Sequence, residues 1–265
     1  MRDARARKAA PAHGTLGLLA GTLLLLGTGN AAALTGGERP TVSIGVATIF
    51  PTSPYRGVDI PGTRTVPFAN WEGERFHLRG LQAGYRLNDS RRFEWTAYLR
   101  PRFQGYSSGD SDDLDGMSTR HASVDAGLQF NSHLTTRWAV RARASSDILW
   151  VHEGQEADLS LTHRWPVNER LTLTPAVGNV WQSANLVDYY YGVEDDETTD
   201  DRPAYDGRSA SNPYVQLGIH YRFTPRLALF SQVQSSRLDD SIRDSPLVDQ
   251  SHEVSGLIAL VLGFN

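Results

Sequence analysis

Asn212-Pro213-Tyr214-Val215-Gln216-Leu217-Gly218-Ile219-His220-Tyr221-Arg222-Phe223, continued after Thr224-Pro225 by Arg226 to Leu238, decides how the rest of the chain is read. Val215, Leu217, Ile219, Tyr221 and Phe223 alternate with Tyr214, Gln216, Gly218, His220 and Arg222. Successive side chains of a strand point to opposite faces, so this period of two predicts a strand. After a long polar loop the chain closes with Val254 to Phe264. There Val254, Gly256, Ile258, Leu260, Leu262 and Phe264 share one face, and an aromatic residue stands one position from the end. That pattern resembles the terminal strand of an outer-membrane barrel, the strand read by the barrel-insertion machinery.

Working outward, the same alternation recurs. Val42 to Phe50 places Val42, Ile44, Val46 and Phe50 on one face, and Thr65 to Trp71 reads as a second strand in which Pro67 predicts an edge-like or irregular position. In Phe76 to Leu87 the apolar parity flips at Gly80, which predicts a bulge or tight turn at Arg79-Gly80, because a one-residue slip reverses every side chain. Phe93 to Phe103, Ala122 to Phe130, Trp138 to Trp150, Leu159 to Trp165 and Leu171 to Trp181 follow, with aromatic residues near their ends as in an interfacial girdle. Splitting at Gly80 gives twelve strands, the even number that a single-chain bacterial barrel with both termini in the periplasm requires.

The start of the chain reads differently. Arg2, Arg5, Arg7 and Lys8 precede an apolar run, Leu16 to Leu26, and the small residues Ala31-Ala32-Ala33. This predicts a secretory signal peptide over residues 1–33, the run being too short for a membrane helix of roughly 20 residues. Residues 34–265 then form one barrel. Without the signal peptide 22 basic residues stand against 29 acidic ones, every basic one except histidine an arginine. A nucleic-acid partner is disfavoured by that balance. The absence of cysteine excludes disulfides and thiol chemistry.

Connections alternate in length. Short joints at Asn88 to Arg92, Ser132 to Arg137, Val167 to Arg170 and Thr224-Pro225 are expected in the periplasm. Long polar loops at Pro51 to Arg64, Gln104 to Arg120, Leu186 to Asn212 and Asp239 to Ser251 are expected outside the cell. Only the joint at His152 to Gln155 is short on the long-loop side. A soluble sandwich would not combine inward Arg and Asp with outward Trp, Leu and Phe. The fold class is therefore all-β, an antiparallel transmembrane β-barrel in the outer membrane of a Gram-negative bacterium, surrounded by lipid.

Asp188-Tyr189-Tyr190-Tyr191-Gly192-Val193, Pro203-Ala204-Tyr205-Asp206, Asn212-Pro213-Tyr214-Val215 and Asp244-Ser245-Pro246-Leu247-Val248, with Pro54-Tyr55-Arg56-Gly57 near the start, resemble the MipA/OmpV family of outer-membrane proteins. The resemblance covers essentially the whole mature chain; Asn265 after Phe264 departs from the usual terminal aromatic. It implies a scaffold joining a periplasmic murein transglycosylase to a murein-synthesising penicillin-binding protein, with porin-like passage of solutes and surface adhesion as alternatives. Its motif residues here are Pro54, Tyr55, Gly57, Tyr190, Tyr191, Gly192, Tyr205, Asp244, Ser245 and Pro246.

Candidate sites follow from the polar strand faces. Arg86, Glu94, Arg100, Arg102, Asp125, Arg141, Arg143, Asp147, Asp158, Arg164 and Arg222 are expected to line the lumen and to pair across it, since unpaired buried charge is costly. Catalysis is not expected: Ser251-His252-Glu253 is the nearest triad-like sequence, but neighbouring strand residues face opposite ways. No cofactor or metal is expected either. Asp110, Asp112, Asp113 and Asp115 are broken by Leu114, where a calcium loop wants an oxygen ligand. They and Glu194 to Glu197 read as solvated acidic loops. The tyrosines at 189 to 191 read as outer girdle.

Overall fold

The protein is described from a computed structural model, in which residues 42–51, 53–58, 64–88, 90 and 92–264 are placed. The predicted signal peptide, residues 1–33, lies outside the described residues. Alternation becomes twelve strands. They are β1 (Val42–Pro51), β2 (Arg64–Glu72), β3 (Phe76–Arg79), β4 (Gln82–Arg86), β5 (Phe93–Arg102) and β6 (Ser123–His133). Next come β7 (Trp138–Asp147), β8 (Gln155–His163), β9 (Leu171–Gln182), β10 (Ala210–Arg222), β11 (Leu227–Arg237) and β12 (His252–Phe264). After a break at Arg164, Trp165–Pro166 continues β8 along β9. Each strand pairs antiparallel with the next, and β12 pairs with β1 from Val42↔Phe264 to Pro51↔Ser255, which closes the barrel.

The parity flip is a tight turn. Gly80 has φ +61°, a left-handed conformation that L side chains resist, and it joins β3 to β4 in register Arg79↔Gln82. These two strands have only four and five residues, so the hairpin stops short of its neighbours. Beyond Asn70, β2 has no partner strand on that edge among the described residues, and Pro67 lies in this stretch. The turn is thus a second short connection on the long-loop side.

Exposed Ile44, Val46, Leu99, Leu128, Leu159, Val215 and Val233 cover the outside of the wall, where a soluble protein would carry polar groups. Facing inward, β3 to β8 carry charged and amide side chains. The inward faces of β12, β1 and β2 instead bury Leu257, Ala259, Val261, Ala47, Ile49 and Phe68, with Phe230 of β11 against them. Gly256 to Phe264 is thus apolar on both faces, because one meets lipid and the other this inner cluster.

Two predicted segments change. β7 ends at Asp147, so Ile148 and Trp150 lie in a loop, Trp150 at φ +58°. The Asp147 carboxylate stops the strand by accepting hydrogen bonds from the Leu149, Val151, His152 and Glu153 N–H groups and from the Ser123 hydroxyl. The loop expected over Leu186 to Asn212 begins with a helix, α1 (Ala184–Tyr191), while α2 (Asp240–Arg243) lies in the last long loop.

Candidate functional site

The long loops fold over the extracellular end and bury a core of their own. Tyr55, Tyr106, Leu114, Leu186, Val187, Tyr190, Tyr191, Ile242 and Leu247 are each at most 3% exposed. The Tyr55 ring meets that of Tyr106 edge-on at 4.7 Å and that of Tyr191 at 5.6 Å. The Tyr55 hydroxyl donates to the Tyr190 carbonyl (3.1 Å), and the Ser245 hydroxyl to that of Tyr191 (2.6 Å). Tyr205 donates to the Ser241 carbonyl, and the Arg56 N–H to that of Leu247. Motif residues from three distant stretches thus meet in one lid. The girdle reading of the tyrosines is corrected: Tyr190 and Tyr191 are buried because α1 turns them down toward the barrel axis, away from lipid.

Buried ions clamp the lid. Arg202 donates to the carbonyls of Glu197, Asp113 and Asp115, bridging two loops. Glu197 is buried too, a correction to its reading as a solvated loop acid: Arg120 donates to it at 2.7 Å and the Ser118 N–H at 2.8 Å. Burial raises the Glu197 pKa, but those donors outweigh it and hold the carboxyl below its ordinary value. Burial pushes the Tyr106 phenol up. Asp110, Asp112, Asp113 and Asp115 are exposed on short 3-10 turns whose Leu114 plugs into the lid. Beside α1 a cleft of about 530 Å³ is lined by Arg120, His152, Glu153, Asp188, Tyr189 and Glu194, among others.

Beneath the lid lies a belt of ion pairs. Arg102 contacts Asp125 at 2.7 Å and Glu156 at 3.0 Å, and Arg100 contacts Glu156 at 2.5 Å and Asp125 at 3.3 Å. All four are at most 6% exposed. Two cations face two anions, so each stays charged only because its partners do. The Gly154 N–H donates to His152 Nδ1, which leaves the proton of the neutral ring on Nε2, 3.4 Å from Asp125. Alongside, Asp158 accepts from Arg143 (3.1 Å) and Tyr214 (2.8 Å), with Arg141 at 3.9 Å. Lower down, Arg86 binds Glu94 and Glu72, and Arg79 binds Glu72.

Of the eleven charges read from the sequence, Arg86, Glu94, Arg100, Arg102, Asp125, Arg141, Arg143 and Asp158 enter these clusters. Asp147 instead organises the β7–β8 loop. Arg222 ties to the Glu169 carbonyl at the periplasmic end (2.7 Å), and Arg164 sits half-buried near that end. Sequence reading missed Glu72, Arg79, Glu156, Arg120 and Arg202. Glu156 shares the inward parity of Asp158 and was recoverable; the two lid arginines lie in loops without periodicity. The Ser251 hydroxyl and His252 Nδ1 are 2.9 Å apart, because Ser251 precedes the strand and so escapes the alternation. Both are exposed outside the barrel.

The family model described as "MltA-interacting protein MipA" matches residues 44–264. The MltA-interacting protein of Escherichia coli (strain K12) is 33% identical over 221 residues, covering 82% of this chain and 87% of that protein. The putative outer membrane protein YiaT of the same strain is 31% identical over 214 residues, covering 79% and 85%. A match across nearly the whole barrel, motif residues included, places the chain: it belongs to the MltA-interacting protein MipA family and is an outer-membrane barrel.

Proposed function

We propose that this barrel is a non-catalytic scaffold, which holds a murein transglycosylase and a penicillin-binding protein against the periplasmic side of the outer membrane. The observation that carries this reading is closure. A lid core and a neutralised belt of buried ion pairs fill the path that a general porin would keep open to water. What is left to present to the periplasm is the rim. The name of the E. coli relative, which refers to an interaction with MltA, points the same way. Residues 1–33 serve this role as an export signal, and the terminal strand as the segment recognised during insertion. The lumen charges seal the interior, and the motif residues from Pro54 to Pro246 build the lid.

Cross-linking in cells followed by co-purification tests the proposal. A murein transglycosylase or penicillin-binding protein should be recovered with the barrel. Recovery of neither, with solute uptake falling when the gene is deleted, replaces the scaffold with a porin.

A further inference from the structure

Each of the five periplasmic turns ends the same way. Arg75, Arg92, Arg137, Arg170 and Arg226 are the residues immediately before β3, β5, β7, β9 and β11. All five are exposed, and none of their guanidinium groups has a partner among the described residues. Their backbones are fixed. The N–H groups of Arg92, Arg137, Arg170 and Arg226 each donate to the side chain two residues earlier, in turn Ser90, Thr135, Asn168 and Thr224. All five carbonyls accept a ladder bond from the neighbouring strand side: Arg86, His133, Arg164, Arg222 and Gly263 are the donors. Four of the turns are therefore copies of one device that presents an arginine, and the turn ending at Arg75 shares its carbonyl bond.

The pleat says where these arginines face. Each directly precedes an outward residue, Phe76, Phe93, Trp138, Leu171 or Leu227, and a ladder that continues through the arginine gives it the opposite, lumen-side parity. They ring the periplasmic mouth on its inner side, while the lipid side is left to the aromatic girdle. Behind them the half-buried Arg164 and Arg222 continue the basic lining. The exposed carboxylates described on the same turns are two, Glu74 and Glu169. The mouth is blind, because inward of the rim Asn131 and Thr172 are at most 6% exposed and fill the lumen.

We propose that this mouth is a socket for an acidic, extended peptide segment of a periplasmic protein, an inference that rests on the scaffold reading and names the chemistry of its partner. From Arg75 round to Arg226 neighbouring arginines stand two strands apart, about 10 Å along the rim, while the step from Arg226 back to Arg75 crosses β12, β1 and β2. A small inorganic anion meets one of them, whereas an extended chain of Glu and Asp spans several. Phospholipid phosphates lie on the other side of the wall, and a cross-linked murein layer is too broad to follow the inner edge of the mouth.

The test uses the purified barrel in detergent micelles and a fluorescent oligoglutamate peptide followed by anisotropy. Replacing all five rim arginines by glutamine should weaken binding at least about tenfold, and raising NaCl from about 50 to about 500 mM should do the same to the unaltered protein. The corresponding Arg→Lys set should keep most of the affinity. Should the glutamine set fail to fold, judged by heat-modifiable migration, the salt titration and competition by unlabelled oligoglutamate decide. The proposal is overturned if glutamine variants bind as well as the parent, if oligolysine binds equally, or if the rim retains isolated sacculi or anionic vesicles and not the peptide. Because the probe is synthetic, its result stands apart from whether a murein enzyme is recovered by cross-linking.

Discussion

Single charges in this barrel are held by their neighbours, so each can be tested by removing one. Glu156 is shared by Arg100 and Arg102 in a belt that excludes water. Glu156→Gln should destabilise the folded barrel by about 3–5 kcal/mol, read as a lower urea midpoint in micelles, because it leaves an uncompensated buried cation. Adding Arg102→Gln restores neutrality and should recover more than half of that loss; two additive losses would show the pairs to be independent. Glu197 makes a pH prediction. Its folded pKa is depressed, so the stability it contributes is complete above the ordinary carboxylate value of about 4.3 and is lost as pH falls through the lower folded value. Proteolysis of the lid loops should accelerate in that acid window, and Glu197→Gln should be cut faster at neutral pH with the acid step removed.

At the scale of elements, strands were legible and the lid was not. Alternation is a local property, so Tyr214 to Phe223 could be read as a strand from ten residues, and the slip at Gly80 marked a turn that the structure realises at φ +61°. Gly80→Ala should cost about 1–2 kcal/mol, measured by refolding, with β3 and β4 kept. Lid contacts run the other way. Tyr55, Tyr106 and Tyr191 touch only after three loops have met, and no periodicity in any of them announces it. Arg120 and Arg202 were unreadable for the same reason: their partners Glu197, Asp113 and Asp115 are chosen by where loops land. The inner apolar face of β12 was visible in Leu257, Ala259 and Val261, but a rule that assigns polar residues to a barrel's inside hid its meaning.

For the whole molecule, lid and belt act in series. The purified protein should show no large, weakly selective conductance in planar bilayers. Tyr55→Ala, which removes a fully buried ring and its hydrogen bond to Tyr190, should loosen the lid by about 3–5 kcal/mol yet leave conductance small while the belt stays paired. An open pore in the unaltered protein would contradict the closure on which the scaffold reading rests. The seam between β1 and β12 also sets an order of events. It joins residues more than two hundred positions apart, and Tyr55 and Arg56 meet Val248 and Leu247 across the same seam. Contacts of such high sequence separation are entropically slow to form. The lid, which needs both sides of the seam, can be completed only where β1 lies against β12, so the barrel is sealed to the outside only once it is whole.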